Sequence, residues 1–493
     1  MITFKNFSFR YEEAATPTLQ NLSFEIASGE FVLLTGRSGC GKTTLIRALN
    51  GLIPHFYPGA LAGEILLDGR SLLDLAPVDL AGTVGTIFQD PRSQFFMTDT
   101  TRELAFGCEN MGYAREETVA RVAKACEKLS LTAYLNRSIF ALSGGEKQQI
   151  AIGSVYALGP RVYIFDEPSA NLDFQATRRL AALMARLKGE GCTIIVVEHR
   201  FYYLRALVDR VLLLDQGRIA ETMTAADFAA LDRERRLAAG LRPMFPEREI
   251  RDFCARPAPS QHARRLSVRH LAYAYKKGAA IFSDLSFEAR GGEVIGILGH
   301  NGSGKTTLLS VLTGLFKETG GAIFYDGKAL SPRGRRAQSY LVLQDTDYQL
   351  FAESVAEELS LGLAEDVSER VDEILRALSL EAHRDKHPAA LSGGQKQRVT
   401  IGAAMVKESA LLYFDEPTSG LDYDSMVRVS GLIKELAQSG MIIFVVTHDF
   451  EFIARTCSRV LMLDAAGAMR DRALSREVLE DLARDYFDGL EDL

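Results

Sequence analysis

An eight-residue glycine-rich segment occurs twice in this chain, each time between an apolar run and a helix-like run. The copies span residues 36–43 and 299–306, and both match the pattern G-x-x-x-x-G-K-[ST]. Because glycine has no Cβ, backbone N–H groups in such a loop can turn toward a phosphate, and the N-terminus of the following helix favours negative charge. One match among 41 glycines could be a chance turn, but a second match makes coincidence a poor explanation. The pattern therefore predicts two phosphate-binding loops.

The repeat extends over whole domains. Leu-Ser-Gly-Gly at 142–145 recurs at 391–394, and Phe-Asp-Glu-Pro at 165–168 recurs at 414–417, both at an offset of 249 positions. A chain of 493 residues is long enough for several domains. The predicted divisions are a first domain, a linker and a second domain, at residues 1–225, 226–265 and 266–493.

Each half alternates short β-branched or aromatic runs with longer helical patterns. The runs of the first half are at residues 31–35, 84–88, 162–165 and 193–197. Strands separated by helical patterns imply crossover connections, so we predict the α/β class with a mainly parallel sheet covered by helices. Apolar residues at three- and four-residue spacing over 100–131 predict a helical subdomain, which residues 354–380 repeat in the second half.

Composition changes between residues 222 and 265, where charges of both signs are followed by Arg-Pro-Ala-Pro-Ser at 256–260. Prolines and interspersed charges predict a solvated connector that is partly helical and partly extended, although its arginines could meet a partner. The acidic C-terminus, residues 480–493, predicts a solvated helical tail.

The totals argue against several classes of protein. A net charge of -7 gives no electrostatic footprint for nucleic acid. Six cysteines without C-x-x-C spacing indicate neither a zinc site nor a disulfide framework, and a reduced cytoplasmic compartment is the simplest location. The N-terminus shows no secretory signal, and no apolar stretch reaches the roughly 18 residues of a spanning helix. Any role at a membrane would therefore require a partner.

An acidic pair follows an apolar strand in each half, as Asp166-Glu167 and Asp415-Glu416. Beside a phosphate loop, the aspartate is placed to organise Mg²⁺, and the glutamate to orient or polarise the water that attacks a γ-phosphate. One such pair could simply be solvated carboxylates at a strand end. Two pairs, each following a phosphate loop, favour the catalytic interpretation.

Histidine and glutamine also end strands. His199 and His448 lie 33 positions beyond the two aspartates, where a histidine can hydrogen-bond the γ-phosphate and sense its loss. A lone histidine would more often be structural, so the equal spacing carries the argument. Gln89 and Gln344 end strands likewise, and their amides could reach both Mg²⁺ and the attacking water.

A Ser-Gly-Gly segment opens a helix-like run in each half, at 143–145 and 392–394. Bare N–H groups and a hydroxyl at such a position can bind an anion. Taken alone, these segments are good helix caps.

The ordered set of phosphate loop, Gln, Leu-Ser-Gly-Gly, apolar-Asp-Glu-Pro, Leu-Asp and His resembles the nucleotide-binding domain of ABC ATPases, here two in tandem over nearly the whole chain. The resemblance implies domains with a mainly parallel sheet, flanking helices, an antiparallel β portion and a helical subdomain. It also implies ATP and Mg²⁺ as ligands. Tyr11 and Tyr275 match the family's adenine-stacking aromatic, although residues at strand ends could also pack in the core.

In that family the Leu-Ser-Gly-Gly segment of one domain closes on nucleotide held by the other, which implies an intramolecular pseudo-dimer with two composite sites. The first site would combine Lys42, Thr43, Gln89, Asp166, Glu167 and His199 with Ser392 and Gly394. The second would combine Lys305, Thr306, Gln344, Asp415, Glu416 and His448 with Ser143 and Gly145.

By the same resemblance, the functional residues fall into three sets. The catalytic set is Glu167, Glu416, His199, His448, Gln89 and Gln344. The Mg²⁺ ligands are Thr43, Asp166, Gln89, Thr306, Asp415 and Gln344. The nucleotide-binding set is Gly36, Arg37, Ser38, Gly39, Cys40, Gly41, Lys42, Thr43, Thr44, Gly299, His300, Asn301, Gly302, Ser303, Gly304, Lys305, Thr306, Thr307, Tyr11, Tyr275, Ser143, Gly144, Gly145, Ser392, Gly393 and Gly394.

Finer features resemble the fused two-domain ATPases of energy-coupling factor importers, which drive uptake of vitamins, their precursors, or cobalt and nickel ions. These features are Gly-Leu-Ile-Pro-His-Phe-Tyr-Pro-Gly at 51–59, Phe-Gln-Asp-Pro-Arg-Ser-Gln-Phe-Phe at 88–96 and Glu-His-Arg at 198–200. The resemblance implies a peripheral protein on the cytoplasmic face of the cell membrane, with a transmembrane coupling protein and a substrate-binding membrane protein as partners and no nucleic acid. Asp90 and Asp345 would then meet arginines of the coupling helices.

Three other classes are weighed against this one. The soluble twin-cassette translation factor has two ABC domains without a membrane partner, but that class carries Asn-His-Leu-Asp where this chain has Ala-Asn-Leu-Asp at 170–173 and Ser-Gly-Leu-Asp at 419–422. A fused sugar-importer ATPase commonly has a degenerate second phosphate loop, which is intact here. A DNA-repair ATPase would need a coiled coil or zinc hook.

Some positions depart from the pattern or differ between the halves. Glu146 stands where the second half has Gln395, and Glu198 where it has Thr447, which puts equal turnover of the two sites in doubt. Cys40 lies in a loop whose dipole favours a thiolate, so we expect maleimide to inhibit and ATP to protect. The alternative is a small residue in a tight loop.

Overall fold

The computed structural model describes residues 1–250, 264–275, 278–363, 365–464 and 466–490. The described chain forms two compact units, the first made mostly of Met1–Pro246 and the second of Glu247–Leu421 together with Ser425–Tyr486. Each unit has the predicted α/β fold, with a six-stranded and a four-stranded sheet.

The first unit pairs an antiparallel sheet with a mainly parallel one. Its strands are β1 (Ile2–Tyr11), β2 (Leu19–Ile26), β3 (Phe31–Thr35), β4 (Gly59–Leu67), β5 (Arg70–Ser71), β6 (Val84–Ile87), β7 (Val162–Asp166), β8 (Thr193–Val197), β9 (Arg210–Asp215) and β10 (Arg218–Thr224). The sheet orders are β2-β1-β4-β5 and β10-β9-β3-β8-β7-β6, with β10 antiparallel to β9. Its helices are Lys42–Leu49, Leu52–His55, Pro77–Ala81, Thr100–Asn110, Arg115–Leu129, Gly144–Leu158, Phe174–Gly189, Ala225–Ala229 and Arg233–Ala238.

The second unit repeats this arrangement. Its strands are β11 (Arg265–Ala274), β12 (Ala280–Arg290), β13 (Val294–Gly299), β14 (Gly320–Tyr325), β15 (Lys328–Ala329), β16 (Ser339–Val342), β17 (Leu411–Asp415), β18 (Ile442–Val446), β19 (Arg459–Leu463) and β20 (Met469–Ala473). The sheet orders are β12-β11-β14-β15 and β16-β17-β18-β13-β19-β20. Its helices are Lys305–Leu312, Pro332–Gln338, Val355–Ser360, Ser368–Ala377, Gly393–Val406, Tyr423–Gln438, Phe450–Thr456 and Arg476–Phe487.

The central parallel strands are mostly apolar, with one threonine at an end of β3 and one at an end of β8. All five residues of β3 and of β8 are buried, as expected for parallel strands covered on both faces, so the sequence shows runs rather than alternation. The carboxyl ends of β3, β7 and β8 therefore meet at one edge of the sheet, and β13, β17 and β18 meet in the same way in the second unit. This edge places the phosphate loop, the acidic pair and the histidine of each unit close together.

The predicted helical subdomains are confirmed. In the first unit, Leu104, Cys126, Leu131 and Ile150 form a separate apolar cluster. The second unit has a corresponding cluster around Leu359. Of the positions that the spacing selected, Cys126 is buried and Val122 and Leu129 pack against the cluster, as predicted. Val119 is 61% exposed and Ala123 is also exposed, so for these two the core prediction is wrong.

The connector is packed rather than solvated over the part that the structure describes. Its helices agree with the predicted partly helical character, but Arg236, Leu241, Arg242 and Met244 are only 2–5% exposed. Arg236 donates from its guanidinium to the carbonyl oxygen of Leu241 at 3.1 Å, which explains how an arginine is tolerated at a buried position. The prediction of solvation is therefore wrong here. Residues 251–263, which include Cys254 and the proline-containing stretch, lie outside the described residues.

The C-terminal helix Arg476–Phe487 is also half-buried, against the prediction of a solvated tail. Leu479, Leu482 and Tyr486 are 2%, 2% and 3% exposed, and their three- and four-residue spacing places them on one face. Residues 491–493 lie outside the described part. Among the helices that the structure describes, none combines the length and apolar character that crossing a bilayer requires.

Candidate functional site

Both phosphate loops depend on a glycine at their first position. Gly36 has a φ of +146° and Gly299 a φ of +152°. A Cβ built on them would lie 2.0 Å from the carbonyl oxygen of Leu214 and 2.4 Å from that of Leu463. Any other residue would clash with the backbone of the neighbouring strand, so the shape of the loop requires glycine here.

The loop lysines are held by their own loops. Lys42 Nζ donates to the carbonyl oxygens of Gly36 at 2.9 Å and Arg37 at 3.0 Å. Lys305 makes the same two bonds to the first residues of its loop, at 2.8 and 2.9 Å. Both side chains are nearly buried, so each ammonium is concentrated in the cradle that the loop forms. A bound phosphate would meet this charge directly.

An aspartate closes the strand beside each loop. Burial raises the pKa of Asp166 to about 7, and the negative charge of Glu167 adds to the effect while Lys42 opposes it. Burial also raises the pKa of Asp415, opposed by the hydroxyl of Thr306, which donates to Asp415 Oδ2 at 3.2 Å. A cation bound here would favour the ionised form of either carboxyl.

In the first unit, the predicted glutamate, histidine and glutamine are in contact. His199 Nε2 lies 3.5 Å from Glu167 Oε1, and Gln89 Nε2 donates to Glu167 Oε2 at 3.0 Å. These three side chains come from three separate segments of chain and converge on one carboxylate. The arrangement suits a carboxylate that polarises a water molecule, with an amide and an imidazole beside it.

The second unit brings together its glutamate and histidine at the same distance. His448 Nε2 lies 3.5 Å from Glu416 Oε1. One contact differs, because the backbone N–H of His448 donates to Glu416 Oε2 at 3.3 Å. Glu416 is also less accessible, at 9% exposed side-chain area against 16% for Glu167.

Both glutamates have a left-handed backbone, with φ of +44° at Glu167 and +48° at Glu416. Such a conformation is uncommon for residues other than glycine, asparagine and aspartate, and is unfavourable by about 1–3 kcal/mol. The N–H of each glutamate donates to the last residue of the next strand, Val197 or Val446, at 2.9 Å, which holds the turn in place. The same positive φ at this position shows that the two units share the backbone conformation of this turn.

The glutamine-rich segments fold back on their own strands. Gln349 Oε1 accepts from the backbone of Leu343 at 3.0 Å, and Gln94 Oε1 accepts from Phe88 at 3.4 Å. Asp90, predicted to meet a partner's arginine, already bonds Arg92 Nε at 3.0 Å. An arginine of a partner would therefore have to replace Arg92 at Asp90. Because this ion pair is exposed, it is weak and easily replaced.

Each Ser-Gly-Gly segment begins a helix with a capping box. Ser143 Oγ accepts from the N–H of Glu146 at 3.4 Å, while Glu146 Oε2 accepts from the N–H of Ser143 at 2.8 Å. Ser392 and Gln395 form the corresponding box. The helix-cap interpretation is therefore confirmed, and Gln395 and Glu146 serve the same capping role despite their different charge.

The two predicted base-stacking tyrosines bond to the second threonine of the following helix. Tyr11 Oη lies 3.1 Å from Thr44 Oγ1, and Tyr275 Oη lies 3.2 Å from Thr307 Oγ1. Tyr275 keeps 48% of its surface exposed, so its ring is available to a flat ligand.

Two residues near Tyr11 were not predicted from the sequence. Arg47 donates to Tyr11 Oη at 3.0 Å, and its guanidinium carbon lies 4.0 Å from the centroid of the Tyr57 ring. Tyr57 belongs to the stretch at 51–59 that was noted only for its resemblance. The one sequence feature that could have indicated this role is an aromatic residue close to the phosphate-loop helix.

The surroundings of Cys40 argue against the reactive-thiol interpretation. The side chain is 6% exposed, and burial raises the pKa of its thiol above the ordinary value, with the charge of Lys42 opposing the effect only in part. The neutral thiol is therefore favoured, and the small-residue interpretation holds. The second loop has Ser303 at this position.

The residues present fit a triphosphate with a hydrated divalent cation. Among the described residues, no group of three or more histidine, cysteine or acidic side chains could hold a metal alone. The second site instead offers one hydroxyl and one buried carboxylate beside a buried lysine, namely Thr306, Asp415 and Lys305. In the first site the corresponding carboxylate, Asp166, is partly buried. Oxygen donors in that small number suit Mg²⁺, which usually keeps waters and takes further ligands from phosphates.

Comparison with known proteins also points to a family whose members are named for ATP binding. The family model described as "ABC transporter" matches residues 19–170 and 282–419, more than half of the chain. A protein of Treponema denticola, provisionally named an ABC transporter ATP-binding protein, is 42% identical over 477 residues, covering 96% of this chain and 97% of the relative. YkoD of Bacillus subtilis, provisionally named an HMP/thiamine import ATP-binding protein, is 31% identical over 501 residues, covering 96% and 91%.

Solved structures share the two-unit fold. A chain in the crystal structure of an archaeal ribosomal stalk protein with an archaeal ribosome recycling factor aligns over 97% of this chain and 92% of its own length, with a TM-score of 0.62 and 22% identity. The structure titled RNase-L Inhibitor gives a TM-score of 0.63 at 20% identity, covering 97% and 92%. At this identity the likeness shows the fold alone.

Proposed function

This chain belongs to the ABC transporter family, and we propose on that premise that it is the ATP-hydrolysing subunit of an energy-coupling factor type importer. The observation that carries hydrolysis is the contact of glutamate and histidine at 3.5 Å in both units, beside a buried phosphate-loop lysine. The importer role is supported by the full-length similarity to a relative named for import. The transported substrate would be a vitamin, its precursor or a transition-metal ion.

In each unit the lysine and the loop N–H groups bind the phosphates, and the histidine donates to the γ-phosphate. Thr43, Asp166 and Gln89 would hold Mg²⁺ in the first unit, and Thr306, Asp415 and Gln344 in the second. When bound, Mg²⁺ neutralises charge that develops on the phosphate oxygens. Glu167 and Glu416 orient and polarise the attacking water.

We infer two composite sites in which each Ser-Gly-Gly helix start faces nucleotide held by the other unit. Ser392 and Gly394 would complete the first site, and Ser143 and Gly145 the second. Nucleotide bound in this way favours a closed pseudo-dimer, and hydrolysis restores the open arrangement. A nucleotide-trapped crystal with either helix start remote from a γ-phosphate would contradict this scheme.

Membrane partners would dock beside the glutamine-rich segments. Phe96 and Phe351 follow these segments in the two units and are 72% and 75% exposed, which is unusual for phenylalanine. Asp90 and Asp345 add carboxylates in the same segments. An apolar ring beside an acidic group suits a partner helix that carries arginines. On this proposal the protein acts at the cytoplasmic face of the cell membrane.

Detergent co-purification tests the importer role. The tagged full-length chain, isolated from native membranes, should carry a transmembrane coupling protein and a small substrate-binding membrane protein, identified by mass spectrometry. Asp90→Arg with Asp345→Arg should abolish recovery of both while ATP hydrolysis by the isolated chain persists. Asp385→Arg, a charge reversal at a 92% exposed carboxylate, is the matched control. Recovery without any membrane protein would favour the soluble twin-cassette alternative.

A further inference from the structure

One pair of positions differs between the units in a coordinated way. Glu198 precedes the first histidine, and Tyr203 follows it closely; 249 positions later the chain has Thr447 and Phe452. A carboxylate and a phenol in the first unit thus correspond to a small hydroxyl and an unsubstituted ring in the second. All four side chains are buried, at 0–2% exposure.

The buried carboxylate of Glu198 accepts four hydrogen bonds. Its Oε1 accepts from the backbone N–H of His199 at 2.8 Å and of Arg200 at 3.1 Å. Its Oε2 accepts from the hydroxyl of Tyr203 at 2.8 Å and from the backbone N–H of Ser169 at 3.3 Å. Ser169 lies two residues after Glu167, so one side chain joins the histidine segment to the segment that carries the hydrolytic glutamate.

In the second unit the same backbone groups have other partners. The N–H of His448 donates to Glu416 itself, at 3.3 Å, rather than to the residue before the histidine. Thr447 Oγ1 accepts from the N–H of Asp449 at 3.1 Å. The hydrolytic carboxylate of this unit thus takes on a backbone bond that Glu198 accepts in the first.

A carboxylate has two oxygens, and each bond to the backbone narrows the directions left for a water molecule. Glu167 Oε2 accepts from the Gln89 amide. Glu416 Oε2 accepts from the backbone N–H of His448. In the first unit the N–H of the histidine thus bonds Glu198, whereas in the second unit the corresponding N–H bonds the hydrolytic glutamate itself.

We propose that Glu198, secured by Tyr203, is a positioning residue that presets Glu167 for water activation and makes the first site the faster one. This inference rests on the proposed hydrolytic role of Glu167. Glu198 is 2% exposed and acts by accepting the His199 N–H, which would otherwise compete for Glu167. The second site has Thr447 and Phe452 at these positions, so it has no carboxylate there to position its glutamate.

The matched test replaces the first pair with the second. Glu198→Thr with Tyr203→Phe installs the combination that the second unit already accommodates. We expect the Glu167-dependent turnover to fall about tenfold, a moderate loss beside the roughly 100-fold that a 1 Å misplacement can cause. The KM for ATP should stay within about twofold, because no group that binds phosphate is removed. A purely structural role would instead lower the melting temperature and leave kcat per folded molecule unchanged.

The control Glu167→Gln measures how much of the total turnover depends on the first site. If Glu167→Gln changes nothing, the proposed function of this site fails. If Glu167→Gln lowers turnover and the pair replacement does not, the role assigned to Glu198 is overturned.

Should the pair replacement fail to fold, Glu198→Gln serves in its place. The amide keeps the volume and one acceptor oxygen, but its NH₂ group cannot accept the remaining backbone bonds. We expect about a threefold loss of kcat with KM unchanged. Unaltered kcat in folded Glu198→Gln protein overturns the proposal.

Discussion

The two sites are nearly identical at the phosphates and differ in their surroundings. Lys42 and Lys305 make the same pair of bonds to their loops, and the glutamate–histidine distance is 3.5 Å in both units. At the predicted base position, however, Tyr11 is held by Arg47 and lies edge-on to Tyr57, whereas Tyr275 is 48% exposed.

This difference separates two kinds of constraint on a duplicated domain. The residues predicted to meet the triphosphate are alike in both copies, as expected where chemistry restricts the choice of side chain. The packing behind those atoms is restricted only by stability, so it has diverged in the connector, the base end and the residue before the histidine. Unequal rates can therefore arise without any change in the groups that touch nucleotide.

The largest effect is expected from replacing the feature that both sites share, the hydrolytic glutamate. Glu167→Gln together with Glu416→Gln should retain ATP binding and lose at least about 100-fold in hydrolysis, because general-base help typically contributes 10²–10⁴-fold. Phosphate release and equilibrium dialysis with ATP measure the two quantities. The single variants sharpen the comparison, since we expect Glu167→Gln to cause the greater loss. Undiminished turnover in the double variant would remove both residues from the catalytic role.

A second effect concerns the buried aspartates in protein free of nucleotide and magnesium. The pKa of Asp166 is about 7 in the folded protein, above its ordinary value of 3.8, so the folded state binds the proton more tightly than the unfolded state. The resulting stability is full below about pH 4 and is lost as pH rises through 7, by roughly 4 kcal/mol at most.

Thermal unfolding between pH 4 and 8 measures this slope. Asp166→Asn should flatten it, whereas Asp415→Asn should flatten it less, because the Thr306 hydroxyl opposes the rise in the Asp415 pKa. A slope that Asp166→Asn leaves intact would show that another group titrates.

The base end should give a smaller, site-specific effect. Tyr57→Ala removes the ring beneath Arg47 and should weaken ATP binding at the first site about fivefold, corresponding to roughly 1 kcal/mol for a cation–π contact. Phe316→Ala is the counterpart, since Phe316 lies edge-on to Tyr275 with centroids 6.0 Å apart. Calorimetric titration of the double glutamine variant resolves the two sites without hydrolysis. Equal weakening of both sites by Tyr57→Ala would contradict the assignment.

The smallest effect is expected at Cys40. Cys40→Ser should leave turnover within about twofold, because the second loop has a serine, Ser303, at this position and the neutral thiol supplies no charge. Mass spectrometry of the Cys40 peptide should show slow maleimide labelling at neutral pH that rises as pH increases toward the raised pKa of the thiol. Rapid labelling near pH 7, prevented by ATP, would restore the reactive-thiol interpretation.

Periodicity and motif order predicted the parts of the fold that depend on local chemistry. The runs at 31–35 and 193–197 are β3 and β8 to the residue, since a fully buried parallel strand is mostly apolar and β-branched. The convergence of Gln89, Glu167 and His199 followed from parallel strands ending at one edge.

What the sequence left open depends on long-range packing. The burial of Arg236 depends on its hydrogen bond to the carbonyl oxygen of Leu241, and the role of Tyr203 depends on its hydrogen bond to the Glu198 carboxylate. In the sequence, neither residue can be distinguished from an ordinary polar residue near a helix. The burial of Cys40 depends on the way the loop closes over it, which composition cannot show. Such features become visible only once the tertiary partners are placed.

At Glu167 and Glu416, one residue affects both the stability of the fold and the rate of hydrolysis, and the two effects oppose each other. Asparagine or glycine would relax the left-handed turn at either position and should make the protein harder to melt, yet neither carries a carboxylate. Both copies nonetheless have glutamate, the residue with the less favourable backbone conformation. Activity has therefore outweighed thermal stability at these two positions.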